Sequence, residues 1–138
     1  MTASSNPMYG LLDTSVFIAR ESGRGLGDLP EYVATCVVTL GELQLGVLSA
    51  NDRNVRAERA RTLSTAKASD PLALTESTMA TWARLIAACR QAGVTRQVKI
   101  ADSLIAACAV DNGLAVVTQD SDFDVMATAF DELDVIQV

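Results

Sequence analysis

The chain has 138 residues, of which 49% are hydrophobic and 20% charged, and a formal net charge of −6. This balance predicts a soluble globular protein of about one domain and excludes general disorder, while the acidic charge argues against a broad basic surface for nucleic acid. There is no histidine, which excludes Ser-His-Asp and Cys-His catalysis and His-ligated zinc, so any acid–base or metal chemistry must use carboxylates.

We expect residues 1–138 to form a single domain in the cytoplasm, with residues 1–8 as a flexible N-terminal lead. The first ten residues have neither the basic nor the apolar segment of a signal peptide. No apolar run approaches the ~20 residues that span a bilayer, so we expect no membrane association. The cysteines are spread among apolar neighbours and are predicted to be buried thiols of a reducing compartment: Cys36, Cys89 and Cys108.

Short apolar runs alternate with helical patterns along the chain. In chain order they predict the strand Tyr9–Leu12, the helix Thr14–Glu21, the strand Val33–Val38, a helix that begins at Thr39, the helix Asp52–Ala68, the short strand Leu72–Leu74, the helices Thr75–Ala92 and Gln97–Val110, the strand Leu114–Thr118, the helix Phe123–Ala129 and the strand Leu133–Val138. This alternation predicts an α/β fold with a parallel sheet covered on both faces. In such sheets the ligand site lies outside the carboxyl ends of the strands.

Two carboxylates directly follow predicted strands and therefore lie at that edge of the sheet. Asp13 stands between the first strand and the first helix, and Asp120 comes two residues after Val116-Val117-Thr118. Asp122 is two residues further on. The alternative for each is the N-cap of the following helix, which favours aspartate.

Two further carboxylates lie on helices with apolar surroundings. Glu42 has apolar neighbours on its helix face, although Thr39 and Glu42 also have the spacing of a capping box. Asp102 lies on a helix that is apolar almost all round. A lone buried carboxylate is costly unless it is paired or binds a cation, so its partner is predicted to be a metal ion or, alternatively, a basic group such as Lys99.

Together Asp13, Glu42, Asp102 and Asp120 would form an all-oxygen cluster, which suits Mg²⁺ or Mn²⁺ and not zinc. Such a site supports attack of metal-activated water on a phosphodiester. Neighbouring hydroxyl groups are predicted to orient the acids or a water molecule, and belong to Thr14, Ser15, Thr118 and Ser121.

Four segments resemble, in order, the motifs of PIN-domain ribonucleases, most closely the VapC-type toxins of type II toxin-antitoxin systems. They are LLDTSVFI (11–18), VTLGELQLG (38–46), KIADSLIAA (99–107) and VVTQDSDF (116–123). Each motif alone is weak, but four in this order across nearly the whole chain form a specific signal.

The resemblance implies a Rossmann-like α/β/α sandwich of three layers, Mg²⁺- or Mn²⁺-dependent endoribonuclease activity, and a small VapB-type antitoxin that blocks the site. By matching motifs, Asp13 and Asp102 would be direct metal ligands, Glu42 a ligand or water-positioning base, and Asp120 the fourth acid. Family members vary in which acid of the last motif approaches the metal, so Asp122 is an alternative. We also expect a homodimer, and an RNA substrate such as tRNA or ribosomal RNA.

Basic residues near the ends of the motif segments are candidates to hold RNA phosphates, namely Arg20, Arg24, Arg96 and Lys99. The alternative is ordinary surface charge. Lys99 lies one helical turn before Asp102 and would either pair with it or meet the scissile phosphate.

Two other functions compete with this prediction. A signalling receiver domain also gathers aspartates around Mg²⁺, but it requires a lysine just after a late strand, where this chain has Gln119-Asp120. A catalytically silent PIN-like binding module would have no reason to keep a carboxylate as costly as Asp102.

Overall fold

The computed structural model describes residues 9–138. This part of the chain forms four strands, β1 (Tyr9–Leu12), β2 (Tyr32–Ala34), β3 (Ala115–Thr118) and β4 (Val135–Gln137). Its helices are α1 (Thr14–Glu21), α2 (Val37–Ser49), α3 (Arg53–Ala68), α4 (Glu76–Gln91), α5 (Ile100–Asp111) and α6 (Asp122–Ala129), with a 3₁₀ turn at Thr95–Gln97. The predicted flexible lead, residues 1–8, lies outside the described residues.

The four strands form one parallel sheet in the order β2-β1-β3-β4. The central strands β1 and β3 pair in the register Leu11 with Val116 and Leu12 with Val117. Chain connections from β1 and β3 run to opposite sides of the sheet, so the carboxyl ends of these two strands form the switch point at which α/β sheets bind ligands.

Alternation along the central strands supplies a core to each face of the sheet. Leu11 and Val116 belong to a cluster with residues of α4, α5 and α6, including Leu85, Ile105 and Phe123. Leu12 and Val117 belong to a second cluster with residues of α1, α2 and α3: Val16, Phe17, Leu43, Leu63 and Ala66. Helices therefore cover both faces, and the predicted α/β fold is confirmed.

The second predicted strand is too long, and the capping box at Thr39 and Glu42 is wrong. β2 ends at Ala34, Cys36 is the N-cap, and α2 begins at Val37. Backbone pairing explains the early turn, because Leu72 donates to the Thr35 carbonyl and accepts from the Val37 amide, at 2.8 and 3.0 Å. Residues 72–74 contribute only this single bridge to Cys36 and not a strand.

Other boundaries shift by one to three residues. The helix predicted from Gln97 begins at Ile100, because residues 95–97 close a 3₁₀ turn. All three cysteines are free and buried, as predicted. None of the helices within residues 9–138 is long and apolar enough to cross a membrane.

Two isoleucines of α5 allow a matched test of the core. Ile105 is fully buried, whereas Ile100 is 64% exposed. We expect Ile105→Ala to lower the free energy of unfolding by about 3 kcal/mol, because it leaves a cavity between α4, α5 and the sheet. The same change at Ile100 should cost less than about 1 kcal/mol. Urea denaturation followed by circular dichroism measures both, and equal losses would contradict this packing.

Candidate active site

The predicted carboxylates meet at the carboxyl ends of β1 and β3. A cavity of about 240 Å³ opens there, and four acidic side chains line it: Asp13, Glu42, Asp102 and Asp120. The other lining residues are Thr14, Ser15, Ile18, Arg24, Lys99 and Gln119. β1, α2, α5 and the segment after β3 therefore each bring one acid to a single cavity.

Asp13 is 2% exposed and occupies the N-cap position of α1, yet its side chain caps nothing. Its Oδ2 atom instead accepts hydrogen bonds from Ser15 Oγ and Thr118 Oγ1, both at 2.7 Å. The N-cap alternative is therefore wrong for this side chain. The two hydroxyl groups fix the orientation of the carboxylate at the base of the cavity.

The same hydroxyl groups also hold the segment that follows β3. Thr118 Oγ1 accepts from the backbone amide of Asp120 at 2.9 Å, and Ser15 Oγ accepts from the amide of Gln119 at 3.0 Å. Because Thr118 is fully buried, this network sets the direction in which the chain leaves the strand. The predicted supporting roles of Ser15 and Thr118 correspond to these contacts.

Glu42 enters the cavity from the first two turns of α2 and is half-buried. Its Oε1 atom accepts a hydrogen bond of 2.5 Å from Thr14 Oγ1. The Thr14 hydroxyl also lies 3.3 Å from that of Thr39, which is fully buried. Thr39 thus contacts the hydroxyl group that binds Glu42, and it does not cap the helix.

Asp102 is 8% exposed and lies in the first turn of α5. Burial, reinforced by the charges of Asp13 and Glu42, raises its pKa to about 7. Lys99 opposes this effect but does not pair with Asp102; its ammonium group lies 3.1 Å from Asp122 Oδ2. The alternative of a Lys99–Asp102 ion pair is therefore wrong.

The structure distinguishes the two acids of the last motif. Asp120 lines the cavity, where loss of hydration and the charge of Asp13 raise its pKa. Asp122 is not among the lining residues and is engaged by Lys99. Ser121 is the N-cap of α6 and makes no side-chain cap, so neither aspartate fills that position.

Two of the four basic candidates reach the cavity. Arg24 and Lys99 line it. Arg20 lies in a different pocket, between α1 and α3, with Phe17 and Thr62. Arg96 is exposed in the 3₁₀ turn and is not among the lining residues. The structure therefore does not bring Arg20 or Arg96 to the acids.

Two lining residues were absent from the predicted site. Ile18 is on α1, one turn after Thr14, and remains 48% exposed. Gln119 separates Thr118 from Asp120 and also lines the cavity. Its position directly after a central strand could have indicated that Gln119 lies at the site. A neutral amide, however, is not a residue type that by itself suggests metal binding or catalysis.

The donor set fits a hard divalent cation. Every polar group contributed by the four acids and by Thr14 and Ser15 is an oxygen, which is the ligand type that Mg²⁺ and Mn²⁺ prefer. No three acidic or cysteine side chains within residues 9–138 are already placed to hold one ion.

Comparison with known proteins agrees with this geometry. The family model described as PIN domain matches residues 10–129. Ribonuclease VapC8 of Mycobacterium tuberculosis is 58% identical over 100 residues, which cover 72% of this chain and 89% of that protein. Ribonuclease VapC5 of the same organism is 46% identical over 122 residues, covering 87% of this chain and 89% of the relative.

Solved structures give the same result. The crystal structure of VapBC-5, a member of the VapBC family of toxin-antitoxin systems from Mycobacterium tuberculosis, aligns with a TM-score of 0.83 at 40% identity, covering 96% of this chain and all of that chain. VapBC2 from Rickettsia felis, bound to a promoter DNA fragment, aligns with a TM-score of 0.74 at 16% identity over 94% and 98% of the two chains, which shows the fold alone.

The chain therefore belongs to the PIN domain family and, within it, to the ribonucleases named VapC. The predicted resemblance is confirmed. Because the family match runs through both central strands and all four acids, the receiver-domain alternative is wrong.

The crowding of the four acids predicts how metal-free protein responds to Asp102→Asn. Burial and the neighbouring acids raise the pKa of Asp102 to about 7 in the folded protein, from 3.8 for an ordinary aspartate. The folded protein therefore binds a proton more tightly than the unfolded chain, and this group costs stability as pH rises from 4 to 7. We expect the metal-free variant to melt several degrees higher than wild type at pH 7, with the difference shrinking at pH 5. Differential scanning calorimetry in chelator measures this.

Mg²⁺ should raise the wild-type melting temperature and raise that of the variant less, because a ligand of the folded state alone stabilises it by mass action. An Asp102→Asn variant that melts several degrees lower, with no response of either protein to Mg²⁺, would make Asp102 a structural residue.

Proposed function

We propose that this protein is a Mg²⁺-dependent endoribonuclease toxin, with Mn²⁺ as an effective substitute. One observation carries the proposal: four carboxylates from separate elements line one cavity, and two of them, Asp13 and Asp102, are buried. Buried like charges cost stability, and a cation shared between them would offset that cost. The names of the VapC relatives support a ribonuclease.

Each acid has a proposed role. Asp13 and Asp102 are direct metal ligands, Asp120 is the fourth acid of the cluster, and Glu42 is a ligand or the base that positions the attacking water. A bound divalent cation would supply the acidity that activates water and would stabilise the leaving oxygen. Asp120 is favoured over Asp122 because Asp122 is held by Lys99.

The hydroxyl groups act as supports for these acids. Ser15 and Thr118 both donate to Oδ2 of Asp13 and so fix the plane of its carboxylate. Thr14 donates to Glu42 and keeps it in the cavity. Positioning of this kind matters because a metal ligand displaced by a fraction of an ångström loses much of its effect.

Arg24 and Lys99 are the proposed contacts to RNA phosphates. Both line the acid cavity, and their charges reduce the repulsion that the four carboxylates exert on a polyanion. We propose that the substrate is structured cellular RNA such as tRNA or ribosomal RNA. We also propose a homodimer, a location in the cytoplasm, and inhibition by a small VapB-type antitoxin, a partner supported by the VapBC complexes with similar structures.

The purified protein should cleave RNA in the presence of Mg²⁺ or Mn²⁺, and a chelator should abolish this cleavage. Asp13→Asn and Asp102→Asn should each lower the cleavage rate at least 100-fold, because each removes a charged ligand for the cation. The matched control is Asp131→Asn, an identical change at an exposed position outside the cavity, which should keep wild-type activity. Gel analysis of labelled RNA measures all four proteins.

Undiminished cleavage by Asp102→Asn would contradict the assignment of the metal site. If wild type binds RNA but cuts none with either cation, the protein is a silent PIN-like binding module. Induction of wild type and Asp13→Asn in growing cells, followed by mapping of new RNA 5′ ends, identifies the RNA.

The proposed antitoxin should insert a basic side chain into the acid cavity, while apolar contacts supply much of the affinity. We expect a small protein encoded beside this chain to co-purify with it and to abolish cleavage at a 1:1 ratio. Asp13→Asn should weaken that complex more than Asp131→Asn does, as measured by isothermal titration calorimetry. If no small partner co-purifies, the antitoxin proposal fails while the nuclease proposal stands.

A further inference from the structure

Gln119 makes contacts that the proposed chemistry does not use. Its side-chain Nε2 group donates two hydrogen bonds, to the backbone oxygen atoms of Gly25 and Val138, both at 3.0 Å. Both protons of the carboxamide nitrogen are thereby used. One neutral side chain thus joins the glycine-rich loop, residues 22–31, to Val138, the residue that follows β4.

The loop is also fixed on its other side, at the end of α1. Gly23 donates to the Arg20 carbonyl at 3.2 Å and Arg24 donates to the Ala19 carbonyl at 2.8 Å. With Gly23 at a φ of 74°, this is a Schellman motif, in which glycine adopts the left-handed conformation that ends a helix. Arg24 therefore lies between two anchors, the helix end before it and the Gly25 carbonyl after it.

Close packing extends the second anchor by two residues. A Cβ atom on Gly27 would come within 3.3 Å of Val138 Cα, so the loop backbone lies directly against the end of the sheet. A larger side chain at this position would push the loop away from Gln119. The contact shows that the loop is seated on the protein at residues 25–27 and not only at its ends.

Arg24 lines the acid cavity together with Gln119. Its charge lies close enough to oppose the rise in the pKa of Asp120 that burial and Asp13 cause. A guanidinium group in this position presents a fork of donors that matches a phosphate group. A fixed backbone favours this contact, because the loop then loses no further backbone freedom when Arg24 binds a phosphate.

We propose that Gln119 is a positioning residue for RNA: by holding the Gly25 carbonyl it keeps Arg24 at the cavity, where Arg24 binds a phosphate beside the scissile one. This inference rests on the proposed ribonuclease function. A glutamine suits the task because it donates two hydrogen bonds without adding charge to an acidic cavity. A glutamate there would supply no donor and a fifth negative charge.

The test combines three variants with a labelled RNA that contains a cleavage site mapped for wild type. Arg24→Ala should raise KM about tenfold, the loss expected for a charged hydrogen bond, with kcat within twofold. Gln119→Met, of similar volume but without donors, should raise KM about three- to fivefold. The double variant should be no worse than Arg24→Ala alone, since Gln119 acts through Arg24.

The salt dependence of KM separates positioning from a general structural role. Both Arg24→Ala and Gln119→Met should reduce the salt dependence of KM, by up to about 0.7 in the logarithmic slope for one lost phosphate contact. Gln91→Met, the same change at an exposed position of α4, should alter neither KM nor its slope. Additive effects in the double variant, or a fall in kcat with unchanged KM, would overturn the inference.

Limited trypsin digestion tests the anchor without any activity. Gln119→Met should speed cleavage after Arg24 at least fivefold while cleavage after the exposed Arg96 keeps its wild-type rate. Equal rates after Arg24 would overturn the anchor. If wild type cuts no RNA with either cation, the proposed function and the RNA role of Gln119 both fail, and the trypsin result still decides whether Gln119 holds the loop.

Discussion

Repulsion among four carboxylates in one cavity is the constraint on which the rest of the structure depends. Burial and the neighbouring negative charges raise the pKa of Asp102 to about 7. Folding therefore keeps together carboxylates that would separate in the unfolded chain. Hydroxyl groups of Ser15, Thr118 and Thr14 restrain two of the acids by hydrogen bonds. Two basic side chains at the rim offset part of the charge.

Packing on both faces of the sheet offsets the free-energy cost of bringing the four carboxylates together. Alternation along β1 and β3 sends Leu11 and Val116 to one core and Leu12 and Val117 to the other. The acids therefore extend from elements that are fixed on two sides. A site that must bring charges together at defined distances gains from such rigid supports, since relaxation of the backbone would let the carboxylates separate.

The order of apolar runs and helical patterns in the sequence predicted most of the strands and helices. The same patterns predicted which four acids line one cavity, because each follows a strand or lies on an apolar helix face. Asp13 and Asp120 follow buried strands, and Asp102 interrupts an apolar helix. Other features depend on contacts distant in sequence. The Thr39–Glu42 spacing matched a cap, but pairing of Thr35 and Val37 with Leu72 started the helix earlier. Arg20 and Arg24 are only four residues apart in sequence, yet the end of α1 lies between them and they line different pockets.

The three buried thiols of this protein can report local or global unfolding through their reaction with a thiol reagent. Cys36 occupies the N-cap position of α2, Cys89 lies within α4 and Cys108 within α5, and all three are fully buried. A thiol reagent can modify them only when the surrounding helices separate, so the labelling rate of each cysteine follows local or global unfolding. Mass spectrometry of labelled protein would thus compare the mobility of three helices, two of which carry acids of the cavity, without any introduced probe.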